Sequence, residues 1–340
     1  MTNKQKLLFI SNSSPERISH ILDAFNSRSD LVVETEHLWL GKRKDSVVHK
    51  FFEKIKLPLD SDNINERLYE KVRTFNPDII FIVKGNYILP GKLKLIRARF
   101  PRIKIVSWSL DDMYAWHNRS AFYTFGLKHY DVVFTSKSYN INELKRVGAK
   151  RVAFLYQAYS TIYHAPPPKC ETNFDVLFIG FAEEERFEYL QYLAEHGIKV
   201  TIYGTGWNKK SFFANNNNIE INAHDLIGDD YAKAICSSRI TLCFLRKINR
   251  DLHTSRSVEI PACGGGMLAE RTSEHLELFE EDVEAAYFSS KEELLDKTNY
   301  YLANSDKLSK LKSAGLKRTK ESNYSYDNMV DRILDELKNL

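Results

Sequence analysis

The sequence predicts an α/β protein of two domains, each a parallel sheet with helices on both faces. Three observations carry this. At 340 residues the chain exceeds what one hydrophobic core organises, and two domains of about 150 residues are the natural expectation. Apolar runs rich in β-branched and aromatic residues recur at a regular pace, separated by segments with helical spacing. A proline-rich break, HAPPPKCETNF at residues 164–174, divides two such series.

The first series runs KLLFISN, LVVETEHLW, DIIFIVKG, KIVSWSLDD, DVVFTSK and VAFLYQ, with NERLYEKVRTF and YNINELKRVG as helices between them. Runs that are apolar almost throughout read as strands buried on both faces, the mark of a parallel sheet. Three consecutive prolines then preclude either regular element, so 164–174 reads as a linker. The second series is DVLFIG, KVTIYG, IEINAH, ITLCFLR, GGMLAE and AAYFS, with EEERFEYLQYLAEHG, DDYAKAICSS and KEELLDKTNYYLANS as helices. Two successive six-strand units imply Rossmann-like domains facing each other across a cleft, over residues 1–165 and 166–325. The last segment, residues 326–340 with YDNMVDRILDELKNL, is a helix able to pack back on the first domain. Ligands of open α/β sheets bind beyond the carboxyl ends of the strands, so the cleft is the expected site.

Composition narrows the classes. With 43% hydrophobic residues and no low-complexity block, the chain reads as globular throughout. The N-terminal stretch MTNKQKLLFISNSSPE has only a short apolar run at Leu7 to Ile10, too short for a signal-peptide core, and nothing approaches a membrane span. Cys170, Cys236, Cys243 and Cys263 are scattered without CxxC spacing, which fits free thiols in a reducing cytoplasm. Residues 1–170 hold 28 Lys+Arg against 16 Asp+Glu, and residues 171–340 hold 21 against 29. The first half is thus +12 and the second −8, which points to an anionic partner for the N-terminal half.

The most informative stretch is HTSRSVEIPACGGG, residues 253–266. Thr254 and Ser255 are good N-caps, and about two and a half helical turns follow before glycine ends them. The preceding strand ITLCFLR points its carboxyl end at the same place. His253, Thr254, Ser255 and Arg256 would then present backbone N–H groups, hydroxyls and a guanidinium to an anion. Glu259 lies one turn deeper on the face shared with Ser255, placed to accept hydrogen bonds from a ribose diol. The three glycines let the chain turn tightly into the next buried strand. The alternative is an ordinary capped helix with an exposed Glu259 and a glycine C-cap.

Over roughly residues 174–330 the chain resembles the C-terminal domain of GT-B glycosyltransferases, specifically the group related to the spore-maturation protein CgeB. The matching pieces are DVLFIG, the nearby Arg186, IYGTGW, HTSRSVEIPACGGGMLAER, ELFEEDVEAAYFSSKEELLDK and the trailing helices. The first half resembles the same group more weakly, through PDIIFIVKG, SWSLDD and YDVVFTS. The resemblance implies a GT-B fold and transfer of a sugar from a nucleotide-sugar, held by the C-terminal domain, to an acceptor held by the N-terminal one. It also implies a frame of two acids separated by seven residues, filled here by Asp251 and Glu259. Glu259 would bind the ribose and Asp251 would sit near the donor sugar. Asp251 stands where many retaining members carry Glu, so retention is only slightly favoured.

Further residues are weighed against plainer roles. Arg246 and Arg250, at the end of a strand, join Arg256 as candidates to neutralise a departing diphosphate, or are surface arginines. Gly204 and Gly206 in YGTGW and Gly180 after DVLFIG either wall the nucleotide pocket or shape ordinary turns. No third glycine completes a dinucleotide fingerprint. His224, at the end of IEINAH, lies where the donor's base is expected. Asp229 and Asp230 read as helix caps, so neither metal nor cofactor is expected.

In the first half, SWSLDDMYAWH (residues 107–117) offers Asp112 as a general base for an inverting reaction, Asp111 beside it at the acceptor, and Trp108 or Trp116 for stacking on a sugar. The plainer reading is capping aspartates beside core tryptophans. Residues 92–104, KLKLIRARFPRIK, hold six basic residues and no acid, with Leu93, Ile96 and Phe100 facing inward. This basic face is either simply solvated or a peripheral contact with an anionic membrane at the inner face of the cell.

The expected activity is a cytoplasmic, metal-independent glycosyltransferase acting on a glycan, lipid-linked or protein acceptor, in polysaccharide biosynthesis or a related modification. The alternatives are a sugar epimerase on the same scaffold, or a non-catalytic basic protein holding nucleic acid or phosphorylated glycan. Nucleic acid is not expected as a partner, because the aromatic residues do not interleave with the basic run.

Overall fold

The computed structural model describes residues 4–11, 15–37, 46–60, 62–207 and 216–340. Parts of the N-terminal stretch read above, residues 1–3 and 12–14, lie outside them. The chain divides into two compact units, one running to Tyr156 and resuming at Tyr326–Leu340, the other Gln157–Ser325.

In the first unit the elements are β1 (Gln5–Ser11), α1 (Pro15–Asn26), β2 (Leu31–His37), α2 (Val47–Lys54), α3 (Ile64–Phe75), β3 (Ile79–Val83) and α4 (Pro90–Arg99). They continue with β4 (Lys104–Ser109), α5 (Ala121–Gly126), β5 (Val132–Thr135), α6 (Asn140–Arg146) and β6 (Val152–Phe154). The sheet is parallel, in the order β2-β1-β3-β4-β5-β6. All five residues of β3, IIFIV, are buried, as a central strand covered on both faces requires.

The second unit holds β7 (Phe174–Ile179), α7 (Glu184–Glu195), β8 (Val200–Tyr203), β9 (Ile219–Asn222), α8 (Gly228–Cys236), β10 (Ser238–Cys243) and α9 (Arg256–Ala262). Then come β11 (Met267–Glu270), α10 (Ser273–Leu278), β12 (Ala286–Phe288), α11 (Lys291–Ala303) and α12 (Ser305–Glu321). Its parallel sheet has the order β12-β11-β10-β7-β8-β9. The order reverses between β7 and β10, so the crevice beyond their carboxyl ends is where a ligand of such a sheet belongs.

Each apolar run singled out in the sequence contributes a strand among the described residues, Asn12, Leu38 and Trp39 lying outside them. The final helix, α13 (Tyr326–Lys338), packs on α1 through a stripe that includes Met329, Val330, Ile333 and Leu337, and Asp331 pairs with Arg28. Arg151 Nε reaches Glu336 at 2.6 Å in the same unit.

Two expectations need correction. The proline segment is no free linker between units, and the change of unit falls at 156/157 rather than 165/166. Residues 157–173 are stitched into the second unit: the Gln157 N–H donates to His253 Nε2 (3.0 Å), the Tyr159 N–H to Tyr324 O (3.0 Å) and the Asn173 N–H to Ser237 O (2.8 Å). The last of these brings Cys170 beside the end of α8, where it forms a disulfide with Cys236 across a Cα–Cα distance of 5.9 Å. The expectation of free thiols therefore holds only for Cys243 and Cys263, which are buried.

Candidate functional site

Three arginines meet beyond β7 and β10. Arg186, in the first turn of α7, is only 7% exposed, and its guanidinium stacks over the Phe178 ring at 5.7 Å. Its Nη1 donates to Phe181 O (2.8 Å) and its Nη2 lies 3.0 Å from Glu183 Oε2, while Nε is buried without a hydrogen-bond partner. Burial lowers its pKa, and the neighbouring Arg256 and Arg246 push it further down. Arg246 reaches the same Glu183 through Nε (2.8 Å), and Arg256, opening α9, has a second buried Nε without a partner. One carboxylate shared between two of three guanidiniums leaves local positive charge with unused donors. That is a fit for a multiply charged anion.

The chain from β10 to α9 is held by side chains whose roles the sequence did not reveal. Glu270, at the end of β11, accepts the Leu245 N–H (2.8 Å) and pairs with Lys247. Ser257 Oγ accepts the Thr254 N–H (3.0 Å) and lies 2.7 Å from His275 Nε2, while His275 Nδ1 lies 2.6 Å from Glu270 O. The carbonyl fixes the proton on Nδ1, so the Ser257 hydroxyl donates to Nε2. Burial pushes the His275 pKa down to about 4, and the ring is neutral at pH 7.

This arrangement changes several predicted roles. His253 is fully buried, with Nε2 taken by Gln157 and Nδ1 2.5 Å from Glu274, so it braces the loop instead of facing a donor. Ser255 occupies the N-cap position without a side-chain capping bond, because Ser257 supplies the hydroxyl that ties the loop. The Thr254 N–H is thereby consumed, which leaves the cradle smaller than the sequence implied. The helix is also shorter than expected, at seven residues, with Pro261 inside it. Gly264 ends it at φ +76°, and a Cβ on Gly265 would stand 2.5 Å from Ile235 Cγ2, which accounts for two of the three glycines.

Glu259 lies one turn into α9 and is 9% exposed. Its Oε2 accepts the Tyr231 hydroxyl from α8 at 2.8 Å. Asp251 is half-buried, its N–H bonded to Arg246 O (3.2 Å), and Arg250 is exposed in the left-handed region at φ 50°.

The glycines after β7 and β8 serve the fold. A Cβ on Gly204, at φ +140°, would stand 2.1 Å from Gly180 O, so the close neighbour is the protein's own backbone. Gly180 O also accepts Trp207 Nε1 (2.8 Å), and Gly206 abuts Ala182 and Phe181. His224 is exposed beside the edge strand β9, with its ring 5.5 Å from Tyr203. Asp229 and Asp230 stand in the first turn of α8, not at its cap. Among the described residues no group of three or more His, Cys, Asp or Glu converges on a metal position.

In the first unit, Asp112 is 0% exposed, and its Oδ1 accepts the Tyr114 N–H (3.1 Å), the Ala115 N–H (3.0 Å) and Asn140 Nδ2 (2.9 Å). A carboxylate sealed in this way organises its own loop and is not placed to deprotonate an acceptor. Asp111 is half-buried and pairs with Lys84. Trp108 is core, whereas Trp116 is 64% exposed, with Lys56 Nζ 6.0 Å from its ring centroid. The basic segment turns Leu93 and Ile96 into the core, with Phe100 half-buried, and two of its cations pair within the unit, Lys92 with Glu66 and Arg97 with Asp131 (2.5 Å). Among the described residues no helix is long and apolar enough to cross a membrane.

Comparison with known proteins agrees with this architecture. Residues 186–335 match the family model of glycosyl transferase-like proteins. No curated protein matches the chain. Among solved structures, Anabaena Alr3699/HepE in complex with UDP and glucose is similar at a TM-score of 0.67 and 12% identity, over 99% of this chain and 100% of that one. Sucrose-phosphate synthase from Thermosynechococcus elongatus aligns at 0.69 and 10%, again over 99% and 100%. UDP-GlcNAc 2-epimerase from Neisseria meningitidis, bound to UDP-GlcNAc, aligns at 0.58 and 12% over the same shares. The chain has the GT-B fold of two Rossmann-like units.

Proposed function

We propose that the chain is a glycosyltransferase, related to the CgeB group, that transfers the sugar of a nucleotide-sugar to a glycan, lipid-linked or protein acceptor. The observation that carries this reading is the trio Arg186, Arg246 and Arg256 at the switch point of the second sheet, with Glu259 one turn beyond. The match over residues 186–335 and the neighbour holding UDP and glucose support it.

In this reading the guanidiniums hold the diphosphate and take up the charge that develops as the anomeric carbon–oxygen bond breaks. Arg186 is already desolvated, so its unused Nε gains a partner when an anion binds. Glu259 accepts hydroxyl protons of the nucleoside sugar, and Asp251 stands by the transferred sugar. The acceptor hydroxyl forms the new bond to the anomeric carbon and its proton leaves with the diphosphate. With Asp112 sealed, the base that would have favoured inversion is absent from its expected place, and we assign retention of configuration. Trp116 is the exposed ring on which an acceptor sugar would stack.

Calorimetry with a panel of nucleoside diphosphates and their sugars tests the assignment, followed by product analysis. Binding, with turnover that requires an acceptor, is expected. Turnover without acceptor would instead assign the epimerase chemistry found on the same fold, and no binding across the panel would overturn the proposal.

A further inference from the structure

We propose that Tyr231 is a positioning residue which fixes Glu259 to receive a ribose diol, so that the site selects ribonucleoside diphosphate donors over 2′-deoxyribonucleoside ones. The inference rests on the assignment of Glu259 to the donor's nucleoside sugar made above.

Glu259 and Tyr231 are 9% and 8% exposed, on successive helices α9 and α8. The Tyr231 hydroxyl donates to Oε2 at 2.8 Å, and no cation forms an ion pair with this acid among the described residues. Among the described residues Oε1 takes no hydrogen bond, yet it keeps some exposure to solvent. A largely buried carboxylate with one donor and no counter-ion is costly to leave so, and its remaining oxygen calls for donors from outside. A pair of adjacent hydroxyls supplies them without adding charge. A phosphate or a carboxylate would be repelled.

Tyr231 can only be the donor in this pair. Burial, and then the Glu259 charge, raise its pKa well above 10, so the phenol stays protonated. Its ring is fixed in turn by His164, whose centroid lies 5.5 Å away and whose Nδ1 accepts the Ser160 N–H at 3.0 Å. With Oε2 held by the Tyr231 hydroxyl, Oε1 keeps both of its lone pairs for donors from the ligand. Losing one hydroxyl from the ligand then leaves acceptor capacity unfilled in a largely buried site. This is the situation in which a hydrogen-bonding pocket rejects an analogue strongly.

The test titrates wild-type protein and Tyr231→Phe with UDP, ADP and GDP, each beside its 2′-deoxy counterpart. The wild type is expected to prefer the ribonucleotide by on the order of 10- to 100-fold. In Tyr231→Phe the preference should fall to within about threefold, through weaker ribonucleotide binding, with deoxynucleotide affinity nearly unchanged. That last value also reports that the variant is folded, and Tyr231→Met, of similar length and without a donor, serves if Tyr231→Phe is not. A merely structural role would lower both affinities together and leave their ratio alone, and that result overturns the inference, as does a wild type without preference. Failure of every nucleotide to bind would instead remove the functional assignment itself.

Discussion

Replacing Arg186 with methionine should separate binding from folding. In the free protein this guanidinium is nearly sealed, its Nε has no partner, and two further arginines lie close enough to depress its pKa. Removing it costs charge-assisted hydrogen bonds to Phe181 O and Glu183, about 1.5–3 kcal/mol each, but relieves desolvation and repulsion of similar size. Methionine also keeps the stem volume and a favourable contact with the Phe178 ring. The net change in stability should therefore stay within about 1 kcal/mol, a shift of only a few degrees in the melting temperature. Binding has no such offset, because the variant loses charge-assisted hydrogen bonds to the diphosphate worth about 1.5–3 kcal/mol, or roughly 10- to 150-fold in affinity. Calorimetry with nucleoside diphosphates and the matching unphosphorylated nucleosides, alongside thermal unfolding, reads both quantities. Undiminished diphosphate affinity in a folded variant would refute the reasoning.

Glu259→Ala should weaken nucleotide binding by about 1–3 kcal/mol, and unchanged affinity in a titration would take this acid out of the site. Asp112→Asn should lower the stability of the first unit while leaving the pH profile of transfer where it is; a displaced limb of that profile would restore Asp112 as the base. For His275 the folded pKa of about 4 lies below the 6.5 of the unfolded imidazole, so unfolding takes up a proton between these values. Its contribution is complete above pH 6.5 and is lost as pH falls toward 4, by at most about 3 kcal/mol. Denaturant melts of wild type and His275→Gln at pH 7, 5.5 and 4.5 should show a shallower fall in the variant, and parallel falls would sink the claim.

The sheets were legible because continuous apolar runs such as IIFIV and DVLFIG have few other fates in a chain with helices between them. Glu259 stood out as a candidate because its spacing from the glycines and from Asp251 is local. What could not be read depended on groups brought from elsewhere. Nothing around Asp112 announces that Asn140, 28 residues on, will saturate its oxygen. Ser255 stands at the N-cap position, but Ser257 ties the loop because His275 arrives from α10 to accept its proton. Tyr231 and Glu259 meet across two helices, a contact without a periodic signal. Arg186 did have a signal, an acid and a base three residues apart just after a buried strand that ends in glycine. The proline segment misled because proline excludes regular structure without excluding anchorage, and the Cys170–Cys236 link anchors it.

Because α13 returns to the unit in which the chain began, the polypeptide crosses between units twice, at Tyr156/Gln157 and again at Ser325/Tyr326. A single proteolytic nick at Tyr156/Gln157 leaves residues 1–156 joined to the rest only through noncovalent packing such as that of α13 on α1, one at Ser325/Tyr326 leaves the two units still in one covalent piece, and only a pair of cuts frees the middle from both strands of chain. The same topology makes 157–325 the contiguous piece to excise, whereas its companion survives excision only if the terminal fifteen residues are spliced back to it.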